Sequence, residues 1–325
     1  VKIAVLDDYQ DIALQIADWS AVRVRCEIQR FGRNLKVPDE AAEVLKPFDI
    51  LCLMRERMPV PRALIERLPN LKFIAVTGLA NRTLDLAAAG ERGVVVSHSL
   101  ARGSGHHATP ELTWGLIIAA ARHIPSENSG MHARGWQSTI GLTLHGRTLG
   151  LLGLGRVGRR VAEIGRAFGM TVIAWSQNLT AEDAAKVGVV LVEKDELFRR
   201  SDILSLHVVL SARTAKIVGA RELGLMKRSA VLVNTARGGL IDEAALVEIL
   251  AQRRIRGAAL DVFSEEPLPD AHPLRCLANA ILTPHLGYVT EEAFRVFYED
   301  TIEAILAFLD GHPIRLLTPA GRNIA

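Results

Sequence analysis

The chain alternates between two hydrophobic periods from its first residues. Short apolar runs of strand length, KIAVLDD, DILCLM, LKFIAVTG and VVVSHS, are separated by segments whose apolar residues recur every three or four positions, DEAAEVLKPF, PRALIERLP and LDLAAAGERG. Continuous apolar runs suit strands covered on both faces, so the alternation predicts a parallel sheet with helices on either side. TPELTWGLIIAAARHI then reads as a long apolar helix, placed to connect two domains. After an irregular stretch containing HARGWQS, the alternation restarts at TLGLLGLG and runs through MTVIAW, DILSLHV, AVLVNTA, GAALDVF and AILTPH, which predicts a second, six-stranded doubly wound sheet. TEEAFRVFYEDTIEAILAFLDG is a long helix that follows once this sheet is complete, and it is expected to cross back to the first domain.

Composition narrows the class. A chain of 325 residues with 49% hydrophobic content has material for two ordinary cores. Lys and Arg number 39 against 36 acidic residues, spread along the helices with no basic block to track a phosphate backbone, so nucleic acid is not an expected partner. Cys26, Cys52 and Cys276 lie far apart, which fits neither a disulfide framework nor a zinc knuckle and points to a reducing cytoplasm. The start, VKIAVLDD, turns acidic too soon for a signal peptide, and no apolar stretch reaches membrane-spanning length, so no membrane partner is expected either.

The strand TLGLL leads into GLGRVG, in which Gly153, Gly155 and Gly158 have the G-x-G-x-x-G spacing and a helix opens around Arg156 and Val157. Glycines there permit a tight turn and let backbone amides at the helix N-terminus approach a pyrophosphate, while the third lets helix and strand pack. Residues 101–286 are therefore read as a Rossmann dinucleotide-binding domain. It is inserted into a smaller flavodoxin-like substrate domain formed by 1–100 and 287–325, which explains a glycine motif halfway down the chain. The acid that usually follows the second strand and binds the adenosine ribose is replaced by Ser176. Loss of that carboxylate removes the repulsion of a 2′-phosphate, yet no Lys or Arg follows before Lys186. Either NAD or NADP fits, with a slight lean to NADP.

VNTARGGLIDEAAL, AALDVFSEEPLP and LTPHLGYVT each place polar residues directly after an apolar run, which would gather Arg237, Glu266 and His285 at the carboxyl edge of the sheet. With the glycine turn, these segments resemble the D-isomer-specific 2-hydroxyacid dehydrogenases in order and spacing over essentially the whole chain. The resemblance implies that His285 is the acid/base, that Glu266 (the acid immediately before Pro267) pairs with it, and that Arg237 anchors the substrate carboxylate and carbonyl. The chemistry agrees, because hydride delivery to a 2-keto carbon builds charge on oxygen that a protonated imidazole and a guanidinium can take up. It further implies Asp261 as a partner of the nicotinamide carboxamide, Thr235 and Ala236 beside that ring, and His207 at the cofactor. In the first domain it implies Thr77 and Gly78 of VTGLAN as backbone donors to the substrate carboxylate, and Arg55 as a further contact.

The expected activity is interconversion of a small 2-keto acid, of the glyoxylate or hydroxypyruvate type, and its D-2-hydroxy acid. The alternative is a nucleotide-sensing, corepressor-like binding protein on the same scaffold. The long helices from Pro110 to His123 and from Thr290 to Asp310 resemble those that pair subunits in the family, implying a homodimer. Near Gly105, relatives usually carry an asparagine that this chain lacks. His106 and His107 are read as loop residues, with no third ligand spaced to make a metal site, and Trp136 is expected to pack between domains.

Overall fold

The computed structural model describes residues 1–100, 102–319 and 321–322. The chain forms two compact units, Val1–His106 with the segment from Thr290 onward, and His107–Val289.

In the first unit, β1 (Lys2–Val5), β2 (Glu27–Arg30), β3 (Ile50–Leu53), β4 (Phe73–Val76) and β5 (Val95–His98) form a parallel sheet in the order β2-β1-β3-β4-β5. This is the flavodoxin-like order. The residues of β3 and β4 are buried throughout, as their unbroken apolar runs require. Leu51, Leu53, Ile74 and Val76 pack on one face against Leu45, Ile65 and Ala88 from the covering helices. The long helix Glu291–Leu309 belongs to this unit. Its Thr290 cap accepts a hydrogen bond from the Ala293 amide, and Phe308 stacks on Phe73 of β4 at 4.6 Å.

In the second unit, β6 (Thr148–Leu152), β7 (Thr171–Trp175), β8 (Val190–Leu191), β9 (Ile203–Leu206), β10 (Val231–Asn234), β11 (Gly257–Leu260) and β12 (Ala280–Leu282) form a parallel sheet. Its order is β12-β11-β10-β9-β6-β7-β8. Successive side chains serve opposite cores. Leu152, Leu204, Leu206 and Leu232 meet Phe198, Leu246 and Ile249, whereas Leu149, Leu151, Ile203 and Val233 meet Trp114, Ile117 and Val161. The helix Ala108–Arg122 lies on the second of these faces through Trp114 and Ile117.

Three elements go beyond the expected set. β2 alternates between exposed and half-buried residues and offers no apolar run, and β8 is a two-residue edge strand that makes the second sheet seven-stranded rather than six. The helix Ile124–His132 has no buried residue, so no apolar stripe announces it. Trp136, expected in an interdomain contact, is 76% exposed. Among the described residues no helix is long and apolar enough to cross a membrane.

Candidate active site

In the second sheet the strand order reverses between β6 and β9, and the loops after these two strands meet. Gly153 follows β6 with φ +105°, and a Cβ there would lie 2.8 Å from the backbone of His207 and Val208, just beyond β9. A Cβ on Gly158 would lie 2.3 Å from the Gly153 carbonyl oxygen. The protein's own packing therefore demands glycine at both positions. Gly155 is different. Its backbone is extended (φ −77°, ψ −162°), and a Cβ would meet nothing within 4 Å. Nothing in the protein requires glycine at 155, so its bare backbone keeps open the space in front of the helix Arg156–Ala167, where the first amides of the helix have no intrahelical acceptor. The residues fit a dinucleotide pyrophosphate at this turn.

The remaining cofactor candidates surround the same edge. Arg156 and Val157 are the first two helical residues, and Arg156 is exposed, with no hydrogen bond or ion pair among the described residues. Ser176 directly follows β7, whose final carbonyl, on Trp175, accepts the Gly153 amide at 2.9 Å. Lys186, the next cation along the chain, is engaged by Glu182 and Asp183 at 3.0 Å each. The His207 imidazole is hydrogen-bonded to the Ser205 hydroxyl at 2.9 Å, and desolvation pushes its pKa down to about 4, so it is neutral near pH 7. The buried Thr235 turns its hydroxyl to that of Thr113 at 2.7 Å, and Ala236 is half-buried beside it.

Beyond β10, β11 and β12 the structure brings Arg237, Glu266 and His285 together. Glu266 Oε2 lies 2.6 Å from His285 Nδ1, while its Oε1 accepts the Phe263 amide at 2.9 Å. Burial would raise the Glu266 pKa, but the hydrogen bond to His285 and the charges of His285 and Arg237 outweigh it and hold the carboxyl below the ordinary range. His285 has a left-handed backbone (φ 54°), and its ring stands edge-on to Tyr288 at 5.3 Å. Its Nε2 has no hydrogen-bond partner among the described residues, and the side chain is 26% exposed. An imidazole gripped at one nitrogen and open at the other can pass a proton to or from a ligand.

Asp261 holds the loop that carries His285. Its fully buried carboxylate accepts the Thr283 hydroxyl (2.6 Å), the Leu286 amide (2.7 Å) and the Gly287 amide (2.9 Å), residues on both sides of the histidine. Asn234 does the same for the arginine loop, accepting the Ala236 amide at 3.0 Å and donating to the Arg237 carbonyl at 2.9 Å. Gly238 is pressed against the next segment, so that a Cβ would lie 1.9 Å from the Phe263 carbonyl carbon. Arg237 and Glu266 thus sit on backbones in direct contact. Thr113, Asn234 and Thr283 were not apparent as site residues in the sequence. Each is an ordinary polar residue whose role depends on a partner far along the chain.

In the first unit, the amides of Thr77 and Gly78 are already committed. Thr77 donates to the Leu53 carbonyl at 3.1 Å, and Gly78 donates to the Ser99 hydroxyl at 2.6 Å. The next two amides, of Leu79 and Ala80, have no acceptor among the described residues. The two amides expected to face a carboxylate are thus engaged within the protein, and those without an acceptor among the described residues come directly after them. Thr77 instead fixes Arg55, whose amide donates to its hydroxyl at 2.7 Å and whose guanidinium donates to its carbonyl at 3.3 Å. The guanidinium lies across Gly78 (φ +88°), where a Cβ would overlap it. His106 sits in the turn Gly103–His107 with Nδ1 2.6 Å from the Gly103 carbonyl. Among the described residues no group of three or more His, Cys, Asp or Glu is arranged to hold a metal.

Comparison with known proteins places this geometry. Residues 114–287 match the family model described as D-isomer specific 2-hydroxyacid dehydrogenase, NAD binding domain. A D-3-phosphoglycerate dehydrogenase of Methanocaldococcus jannaschii is 39% identical over 315 residues, covering 96% of this chain and 58% of the relative. A glyoxylate reductase of Aeropyrum pernix is 38% identical over 257 residues, covering 76% of each chain. The crystal structure of a phosphoglycerate oxidoreductase from Vibrio cholerae superposes with a TM-score of 0.90 at 36% identity, covering 95% of this chain and 99% of the other. The chain thus spans little more than half the length of the Methanocaldococcus relative but nearly all of the Vibrio structure. On the family match and these identities, the chain belongs to the D-isomer specific 2-hydroxyacid dehydrogenase family.

Proposed function

We propose that this chain reduces a small 2-keto acid, of the glyoxylate or hydroxypyruvate type, to its D-2-hydroxy acid, and catalyses the reverse oxidation, with NAD or NADP. The observation that carries this reading is the His285–Glu266 pair at 2.6 Å with the outer imidazole nitrogen unbonded among the described residues. When bound, a reduced nicotinamide supplies the hydride. The chain's own residues do the rest. His285 Nε2–H donates to the keto oxygen as charge builds there, and Glu266 stabilises the imidazolium that donates and fixes its ring. Arg237 polarises the same oxygen and meets the carboxylate. Asp261, implied by the resemblance as a partner of the nicotinamide carboxamide, is instead fully buried and spent on the histidine loop, which leaves Thr235 and Ala236 as the residues beside the ring. In the first unit, the Leu79 and Ala80 amides and Arg55 are the groups suited to the substrate carboxylate.

For the cofactor, the family model supports NAD, while Ser176 in place of an acid supports acceptance of a 2′-phosphate. A homodimer is supported by the exposed apolar residues Ile124, Met131, Trp136 and Ile140, which fall on one stretch of chain. The test is a panel of glyoxylate, hydroxypyruvate and the 3-phosphorylated keto acid with NADH and NADPH, followed by nicotinamide absorbance. Turnover of one of the first two is expected. Preference for the phosphorylated acid would replace the substrate assignment, and tight nucleotide binding with no turnover of any would overturn the enzymatic reading.

A further inference from the structure

The Phe263–Ser264 segment lies where the catalytic loops converge, and its two successive amides are taken by two different carboxylates. Phe263 N–H donates to Glu266 Oε1 at 2.9 Å, and Ser264 N–H donates to Glu243 Oε2 at 3.2 Å. Gly238, next to Arg237, packs against the same peptide, with a notional Cβ only 2.5 Å from the Ser264 nitrogen. Glu243 opens the helix Glu243–Ala251, a regular element anchored in the core by Leu246 and Ile249. Its second oxygen, Oε1, is held by His272 Nε2 at 3.2 Å. The tautomer follows from the other ring nitrogen. His272 Nδ1 accepts the Leu274 amide at 3.3 Å, so in the neutral ring the proton sits on Nε2 and is donated to Glu243. Both side chains are largely buried, at 20% exposure for Glu243 and 18% for His272.

We infer that Glu243 and His272 are positioning residues for the Glu266–His285 pair, acting through the Phe263–Ser264 peptide. His272 orients the Glu243 carboxylate, Glu243 fixes the Ser264 amide, and the adjoining Phe263 amide is thereby held where it locks one oxygen of Glu266, leaving the other for His285. A second acid–histidine pair thereby sets the geometry of the first. The inference rests on the proposed function only in calling the first pair catalytic.

The experiment therefore reads the pair directly as well as through turnover. His285 is titrated by long-range 1H–15N NMR in wild type, E266Q, E243A, E243Q, H272Q and the double variant E243A/E266Q, and kcat/KM for keto-acid reduction is measured against pH. E243A is expected to move the His285 titration midpoint in the same direction as E266Q. It should also lower kcat by about 10- to 100-fold, the range for removal of a group that orients another, with little change in nucleotide affinity. E243Q and H272Q are expected to give smaller effects of the same sign, and E243A should add nothing once Glu266 is Gln. If E243A fails to fold, the two milder variants carry the same comparison. An unmoved midpoint in folded Glu243 variants overturns the inference, as does full additivity in the double variant. If the midpoint moves while no substrate is turned over, the positioning stands and the proposed activity falls.

Discussion

Gly155 and Gly158, three residues apart in one motif, should respond in opposite ways to the same added methyl. At 158 the Cβ would stand 2.3 Å from the Gly153 carbonyl oxygen, a backbone atom of the tight turn after β6. Overpacking against a rigid neighbour costs about 1–3 kcal/mol, and an overlap this deep belongs at the upper end. Alanine's helix propensity offsets up to about 1 kcal/mol, so G158A should lose about 2 kcal/mol. For a unit of this size that is about 4–8 °C in Tm. At 155 the methyl meets nothing and the backbone is one any residue adopts. The unfolded chain loses freedom, which stabilises the fold by about 0.4–1 kcal/mol, offset by about 0.5–1 kcal/mol because alanine is a poorer helix cap than glycine. G155A should therefore melt close to the wild-type temperature. Its methyl nevertheless occupies the space through which a pyrophosphate would reach the helix amides, so its Kd for NADH should rise at least about tenfold, or about 1.4 kcal/mol. Thermal unfolding without nucleotide, followed by NADH titration on protein fluorescence, separates the two effects. A G155A protein that binds NADH normally would place the pyrophosphate elsewhere, and one that melts well below wild type would refute the packing argument.

Other expectations follow from the charged groups. E266Q should move the high-pH fall in keto-acid reduction to lower pH and let hydroxy-acid oxidation persist further into acid, both read from kcat/KM profiles; if neither limb moves, the pairing has no role in proton transfer. H285A should depress both directions at every pH by about 10²- to 10⁴-fold, and a fully active variant would remove His285 as the proton donor. Because the Glu266 pKa is depressed on folding, its stabilisation is complete above the unfolded value of about 4.3 and is lost as pH falls through the lower folded value. Denaturant midpoints of wild type and E266Q should therefore differ at pH 7 and converge below about pH 4; a constant gap would contradict the shift. S176D should turn the ratio of specificity constants toward NAD by at most about 1–3 kcal/mol, and an unchanged ratio would place Ser176 away from the ribose.

What was legible in the sequence was whatever its local pattern encodes. Unbroken apolar runs marked the buried strands, and the spacing of Gly153, Gly155 and Gly158 marked the turn after β6. The order of Arg237, Glu266 and His285 after three such runs foretold their meeting at one edge. What was not legible depended on partners distant in the chain. Whether Gly78 has a free amide is decided by Ser99, 21 residues later, and among the described residues it is the Leu79 and Ala80 amides that lack an acceptor. That Asp261 holds both flanks of His285 is decided by Thr283 on one side and by Leu286 and Gly287 on the other. Glu243 and His272 stand in the sequence as a helix-start acid and a loop histidine, and only the fold sets them against Ser264. β2 escapes the pattern because an edge strand need not be apolar to pair, and β8 because only two residues of the apolar run Val189–Val192 join the sheet.

The contact between Gly238 and the Phe263 peptide bears on how this scaffold can be altered. Since no side chain fits between the two backbones, the arginine loop and the acid loop behave as one rigid cassette, although 26 residues of sequence separate Gly238 from Ser264. Homologue segments exchanged to redirect specificity would have to carry both loops together, because a chimaera that takes one without the other inherits a surface shaped for a neighbour it no longer has.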